Sequence, residues 1–156
     1  MSKFDTSNVE NMRFMFNECY NLREIKGINN FDTRNVTKMN AMFESCKELE
    51  YLDLSNFNTS KVVKMLAMFN RCYKLKEIKG INNFKTINLI NMESMFDSCK
   101  ELEFLDLSNF DTSNVTSFKA NFSKCHKLKE IKGIHNFNTN NVTNMDGLFT
   151  ECYELK

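Results

Sequence analysis

A repeat of 26 or 27 residues constrains this chain more than any other feature of its sequence. Two columns of identical residues recur along the 156 residues, at separations that alternate between 27 and 26, so the underlying unit is 53 residues long. A fixed period of this size is typical of solenoids, propellers and other arrays. The two columns are Cys19, Cys46, Cys72, Cys99, Cys125 and Cys152, and Phe4, Phe31, Phe57, Phe84, Phe110 and Phe137.

Each module combines two hydrophobic periodicities. Segment 49–54 follows the pattern L-x-x-L-x-L, and its last two leucines alternate at period 2, which predicts a β-strand. Segment 65–72 places Met, Met, Phe and Cys at i, i+3, i+4 and i+7, which predicts one apolar face of a short helix. One module cannot bury its apolar face alone, so residues 1–156 are predicted to form a single repeat domain whose modules stack.

The extra residue of each 27-residue module coincides with a glycine. Gly27, Gly80 and Gly133 follow the predicted strand, where the 26-residue modules have no equivalent residue. Because glycine tolerates positive φ, we interpret these positions as bulges at the strand end. The alternative is a neutral insertion preserved by duplication of the 53-residue unit.

The net charge and the lack of long apolar runs argue against nucleic acid and membrane-spanning helices, and the termini suggest a longer array. The net charge is +1, so no strong field favours nucleic acid, and no apolar run approaches the ~20 residues of a membrane helix. The N-terminus lacks an apolar signal region. By the 53-residue period Met1 aligns with Leu54 inside a strand, so we expect a fragment of a longer array or, alternatively, end-to-end stacking of open ends.

Three charged columns flank the predicted strands, and each alternates in sign from one module to the next. Opposite charges stabilise neighbouring strands and like charges destabilise them, so the columns are predicted to be a structural charge ladder. A charged face that binds a ligand is the alternative. The columns are Arg23, Glu50, Lys76, Glu103 and Lys129; Lys26, Asp53, Lys79, Asp106 and Lys132; and Glu48, Lys74, Glu101, Lys127 and Glu154.

The cysteine and histidine patterns argue against catalytic and metal sites. A spacing of 26–27 residues gives no C-x-x-C motif and no cysteine–histidine pairing suited to zinc. Each cysteine closes an apolar face, so a core ladder of free thiols is expected, with disulfides between adjacent modules as the alternative. His126 and His135 occupy positions held by Tyr or Asn in other modules. We therefore expect no enzymatic activity, no metal and no cofactor.

Two aromatic residues in the predicted strands are candidates for a binding face. Tyr51 and Phe104 lie between core leucines, where Glu24, Glu77 and Glu130 stand in the alternate modules. Aromatic side chains among charges are plausible anchors for a protein partner. The alternative is that they cover the aliphatic stems of neighbouring Lys or Arg side chains.

Three short motifs together resemble a known repeat family. They are F-D-T-S-N-V-T at 110–116, M-F-x-x-C at 42–46 and L-x-x-L-D-L-S-N-F at 49–57. Together they resemble the BspA-type leucine-rich repeat of mycoplasma-type surface lipoproteins, over essentially the whole chain. The resemblance implies an α/β fold: a right-handed solenoid of about six coils, with a parallel sheet on one face and short helical segments on another.

The same resemblance implies display at the cell surface or secretion, and binding of a host or partner protein in adhesion. A structural rod or filament segment, assembled by end-to-end stacking, is the alternative function.

Overall fold

The computed structural model describes residues 4–156, and the regular elements in that range are short. The predicted strand position at Met1 lies outside it. Four three-residue β-strands and three 3₁₀ helices are present in these residues. The strands are β1 (Tyr51–Asp53), β2 (Glu77–Lys79), β3 (Phe104–Asp106) and β4 (Glu130–Lys132), and the 3₁₀ helices span Ile28–Asn30, Ile81–Asn83 and Ile134–Asn136.

The parallel pairing of the predicted strands is confirmed. β1 pairs with β2 so that Leu52 lies beside Ile78, and β3 pairs with β4 in the equivalent register. The central residue of each strand is buried and its neighbours are more exposed, as a period of 2 requires. The strands form two separate two-stranded sheets in place of one sheet running along the stack.

The short helix predicted at 65–72 and at its equivalents is wrong, and these segments are successions of turns. Ala67 and Arg71 have left-handed backbones, with φ of 55° and 58°, which an α-helix does not contain. The N–H groups of Met68 and Cys72 donate to carbonyls three residues back, and not four. The chain therefore presents its Met and Phe side chains to the core at helix-like spacing without forming a helix.

Hydrogen bonds to the next module explain why turns replace the helix. The N–H groups of Met65, Ala67, Phe69 and Arg71 donate at 2.8–3.1 Å to carbonyls 26 residues further on. An α-helix would use these donors within the segment. The same lateral bonds recur in the equivalent segments of the other modules, and we call this surface the turn side and the surface formed by β1–β4 the strand side.

The core lies between these two sides and is built from stacked columns. Six phenylalanine rings follow one another with centroids 5.6–5.7 Å apart, and they belong to Phe16, Phe43, Phe69, Phe96, Phe122 and Phe149. Buried leucine, isoleucine, methionine and cysteine side chains pack around them. Because each module contributes one ring to a shared column, the modules bury apolar surface against one another.

A column of buried threonines adds polar contacts between modules. The Thr59 hydroxyl donates to the Lys85 carbonyl at 3.1 Å and accepts from the Lys85 N–H at 2.7 Å. Thr33 makes the equivalent pair of bonds with Asn58, and Thr86 makes it with Asp111. Each hydroxyl thus satisfies a backbone donor and a backbone acceptor of the next module.

The glycine of the 27-residue module has a defined steric role. Gly80 adopts φ of +83° directly after β2 and begins the 3₁₀ helix Ile81–Asn83. A Cβ at this position would lie 2.4 Å from the Ser55 Cα, so the backbones of the two modules meet here. The positive φ agrees with the sequence-based interpretation, but the extra residue starts a turn outside the strand ladder and does not bulge it.

Candidate binding site on the strand side

The charged columns form ion pairs across the modules whose strands are hydrogen-bonded. Three lysines of the β2 module reach three carboxylates of the β1 module: Lys74 to Glu48 at 2.7 Å, Lys76 to Glu50 at 2.8 Å and Lys79 to Asp53 at 3.2 Å. The β3 and β4 modules repeat the arrangement, with Lys127 to Glu101 at 2.6 Å, Lys129 to Glu103 at 2.6 Å and Lys132 to Asp106 at 3.0 Å.

Ion pairs between neighbouring modules are concentrated at the 26-residue steps, where the strands are hydrogen-bonded. Within residues 4–156, the one ion pair of these columns across a 27-residue step is Lys129 with Glu154, at 4.0 Å. Lys26 contacts Glu24 of its own segment at 3.9 Å. The Glu50 N–H donates a backbone hydrogen bond to the Arg23 carbonyl, and the two side chains form no ion pair in the described structure. The alternation in sign therefore produces discrete clusters that each join two modules.

Local hydrogen bonds keep the paired aspartates ionised. The Ser108 hydroxyl, the Lys132 ammonium and the Ser108 N–H lower the pKa of Asp106 to about 2, in that order of importance. Hydrogen bonds from Ser55 are the main reason why the pKa of Asp53 is also lowered, and Lys79 adds to the effect. Both carboxylates carry a full negative charge at neutral pH, and each is neutralised by a lysine.

The two strand aromatics are exposed beside carboxylates. Tyr51 is 36% exposed and Phe104 is 49% exposed. In the strand register Tyr51 lies opposite Glu77, and Phe104 lies opposite Glu130. In the described residues the cation–π contacts involve Phe14, Tyr20 and Tyr73. No lysine or arginine of these residues therefore lies over the ring of Tyr51 or Phe104.

A groove opens beside each strand aromatic, on the edge away from the paired strand. The C-terminal groove has a volume of about 400 Å³ and separates β2 from β3. Its lining residues are Lys76, Glu77, Ile78, Ile81, Asn82, Glu103, Phe104, Leu105 and Asp106. The N-terminal groove has a volume of about 230 Å³, and its lining residues are Glu24, Ile25, Lys26, Gly27, Ile28, Asn29, Tyr51 and Asp53.

The two grooves are equivalent under the 53-residue period. Glu24 and Tyr51 in the first correspond to Glu77 and Phe104 in the second. Each groove follows a 27-residue module, where the glycine and the 3₁₀ helix replace the turn that Asp53 or Asp106 caps in the 26-residue module. The sequence signal for the grooves was the extra residue, but its consequence for strand pairing was not predicted.

The four inner cysteines pack as buried thiols, and all six cysteines are free. The predicted core ladder is wrong at its ends, because Cys19 is exposed and Cys152 is only partly buried where no further module of the described residues covers them. The Cys72 thiol donates to the Phe43 carbonyl at 3.1 Å, and the Cys99 thiol donates to the Phe69 carbonyl at 3.2 Å. Burial raises the pKa of Cys46 to about 12 and raises the pKa of Cys72 and Cys99 well above its ordinary value. These buried sulfurs are protonated and shielded, so they are poor nucleophiles.

The histidines and acidic residues do not assemble a metal cluster in the described range. His126 packs against Tyr153, with ring centroids 5.1 Å apart, and its Nε2 lies 3.4 Å from a Glu151 carboxylate oxygen. Residues 4–156 contain no group of three His, Cys, Asp or Glu side chains with a geometry suited to a metal ion. In the same range no helix has the length and apolar character that crossing a bilayer would require.

Together, the stacked columns and in-register strands define a repeat protein whose strand side carries exposed aromatics, carboxylates and paired charges. The chain belongs to the family described as "Mycoplasma protein of unknown function, DUF285", whose model matches residues 1–79 and again residues 73–156. The expected relationship to a mycoplasma-type repeat family is thereby confirmed at this level. Neither the curated proteins nor the solved structures contain a match.

Proposed function

We propose that this chain is a non-enzymatic binding module, displayed at a cell surface, that engages a host or partner protein through its strand side. In this proposal the modules form a right-handed, leucine-rich-repeat-like solenoid of the BspA type with about six coils. Two features support the solenoid: the strands pair in parallel at a 26-residue step, and the turn-side hydrogen bonds recur from module to module. The double match of one family model, to residues 1–79 and 73–156, supports the repeat character that a solenoid requires.

The observation that carries the binding proposal is the exposure of Tyr51 and Phe104 on the strand side. Large aromatic side chains are enriched among the residues that dominate protein–protein affinity. A strand residue at this position needs no aromatic ring to hold the sheet, since Glu77 and Glu130 occupy it in the paired strands. The rings therefore offer apolar contact area that the fold itself does not use.

The non-enzymatic part of the proposal is supported by the state of the nucleophile candidates. The buried thiols have a raised pKa, and their hydrogens are donated to backbone carbonyls. A catalytic cysteine needs a thiolate and access to substrate.

Adhesion can be tested with microspheres that carry the chain. We expect coated microspheres to be retained on cultured epithelial monolayers, and the Tyr51→Ala/Phe104→Ala variant to reduce retention at least threefold. A matched control is Ile87→Ala/Ile90→Ala, because these side chains have similar exposure, 50% and 39%, and do not belong to the strands. Equal retention by both variants, or none above uncoated microspheres, would contradict the proposal.

A filament role is the second candidate, and an apolar cleft at one end of the phenylalanine column favours it. The cleft has a volume of about 150 Å³, and Phe122, Phe137, Met145 and Phe149 contribute to its lining. Phe149 is 39% exposed, whereas Phe122 is fully buried. Another stacked module would cover this surface. Concentration-dependent polymers in sedimentation, lost in Phe149→Ser, would support this role, and a monomer at high concentration would oppose it.

A further inference from the structure

We propose that the two strand-side grooves bind extended polypeptide segments carrying lysine or arginine side chains, with the cation placed between a carboxylate and an aromatic ring. This inference rests on the proposed function as a protein-binding module and names the chemistry of the partner. In the C-terminal groove the pair is Glu77 and Phe104. In the N-terminal groove it is Glu24 and Tyr51, and there the ligand cation would compete with Lys26, which lies 3.9 Å from Glu24.

The backbone supports an extended ligand because the sheet is interrupted at each groove. β1 and β2 form one sheet and β3 and β4 form another, so β2 and β3 each have one edge without a partner strand in the described structure. Both strands contribute residues to the C-terminal groove, so their free edges flank it. A free strand edge offers N–H and C=O groups to an incoming extended chain.

The charges of the C-terminal groove favour a cation. Its lining contains three carboxylates and one lysine. Glu103 and Asp106 are paired with lysines of the β4 module, and Lys76 is drawn towards Glu50. Glu77 forms no ion pair with any residue in 4–156, so its negative charge is left for a ligand.

The aromatic ring adds selectivity for a cation over a neutral group. Phe104 is about half exposed, and no cation of the described residues lies over its face. A lysine or arginine placed over an aromatic ring and beside a carboxylate gains from both contacts. The volume of about 400 Å³ falls within the usual range of ligand sites, whereas the N-terminal groove at about 230 Å³ falls below it. We therefore expect the C-terminal groove to bind more tightly.

The test uses a fluorescein-labelled decapeptide of alternating lysine and threonine, titrated against the full chain by fluorescence anisotropy at low salt. The expected result is saturable binding, weakened at least fivefold in the Glu24→Gln/Glu77→Gln variant and in Phe104→Leu. The matched control is Glu10→Gln/Glu93→Gln, which removes the same number of charges at residues outside both grooves and retains the affinity. Circular dichroism verifies that each variant is folded.

A second probe tests the use of the free strand edges. The same decapeptide with alternate backbone nitrogens methylated keeps its charge but loses half of its N–H donors, and we expect its affinity to fall at least fivefold. Equal affinity of the two peptides, an equal loss in the two glutamine double variants, or no binding of the lysine peptide would each overturn the inference. Retention of coated microspheres on cells would continue in those cases, so failure of the inference is distinguishable from failure of the proposed function.

Discussion

At the residue scale, two glycines with left-handed backbones occupy very different surroundings. Gly80 has φ of +83° and lies against the backbone of Ser55, whereas Gly147 has φ of +64° and would place a Cβ 3.3 Å from the Thr150 hydroxyl oxygen. The column of Gly147 contains alanine in other modules, at Ala41 and Ala67, with similar positive φ. Conformation alone therefore does not require glycine at 147, but the close approach of two backbones requires it at 80.

This contrast predicts unequal effects of one substitution. Gly80→Ala should lower the free energy of unfolding by about 2–5 kcal/mol, because a left-handed Cβ is strained and this one also overlaps the Ser55 backbone. Gly147→Ala should change it by no more than about 1 kcal/mol. Urea denaturation followed by circular dichroism measures both values, and similar losses would contradict the steric explanation.

A second residue-scale prediction concerns Asp106, whose pKa is lowered to about 2 in the folded chain. Ionisation of this group stabilises the fold above its ordinary pKa of 3.8, and the contribution is lost as the pH falls towards 2. Asp106→Asn should therefore destabilise the chain at pH 6 and have little effect at pH 2. Ser108→Ala, which removes the largest cause of the shift, should reduce this pH dependence.

Urea titrations at several pH values provide the comparison. A constant difference in stability between the parent chain and Asp106→Asn, from pH 6 to pH 2, would show that the carboxylate contributes no such linkage.

At the element scale, the sequence indicated the strands much better than the segments that follow them. A period of 2 and equivalent positions at 26-residue steps define both the strand and its register, because parallel neighbours align residues of the same column. The spacing i, i+3, i+4, i+7 at 65–72 does not distinguish a helix from successive turns, since both direct those side chains inward. Whether the segment forms a helix or turns depends on its hydrogen-bond partners in another module. Local periodicity gives no information about those partners.

The candidate site was predicted only in part for a related reason. Sequence periodicity identified Tyr51, Phe104 and the acidic residues in equivalent strand positions. The grooves beside them arise because Gly80 and the 3₁₀ helix Ile81–Asn83 follow β2, so that β2 and β3 do not pair. That outcome depends on the backbone geometry after the strand, and an alignment of repeats shows only that a residue has been inserted.

Because β1 pairs with β2 but has no partner strand on its other side within residues 4–156, we predict that Glu50 couples more strongly to Lys76 than to Arg23. Lys76→Glu should destabilise the chain by placing a carboxylate beside Glu50, and adding Glu50→Lys should restore stability by reversing the pair. Arg23→Glu should have a smaller effect, and Glu50→Lys should not rescue it. Lys76 lies 2.8 Å from Glu50, whereas Arg23 makes the smallest contribution to the lowered pKa of Glu50.

Double-mutant cycles in urea measure both couplings. Equal coupling of Glu50 with Arg23 and with Lys76 would show that the charge ladder is continuous along the stack.

At the scale of the whole molecule, the natural unit is the pair of modules and not the single module. Each 53-residue unit contains one negatively charged strand segment, one positively charged strand segment and one glycine turn. Removing residues 54–106 joins Asp53 to Leu107 and keeps the alternation. Removing residues 49–74 places the module of Arg23 and Lys26 directly before that of Lys76 and Lys79, so like charges become neighbours.

These deletions should differ in the size of their response to salt. Sodium chloride at about 0.5 M screens exposed charges. It should lower the urea midpoint of the chain lacking residues 54–106, where opposite charges attract across the new junction. The decrease should be smaller in the chain lacking residues 49–74, which keeps the ion pairs of β3 with β4 but gains a repulsion that salt relieves. An equal or larger decrease in the second chain would contradict the assignment of the charged columns to pairing between modules.

The hydrogen bonds between modules also give the molecule a direction of compliance. On the turn side, lateral backbone bonds recur at successive steps, whereas on the strand side the ladders of β1 with β2 and of β3 with β4 are separate. A force that bends the stack away from the strand side would therefore spread the modules at the unpaired steps first. The turn side would act as a spine, and traction on a bound partner would change the width of the two strand-side grooves before it broke any strand ladder.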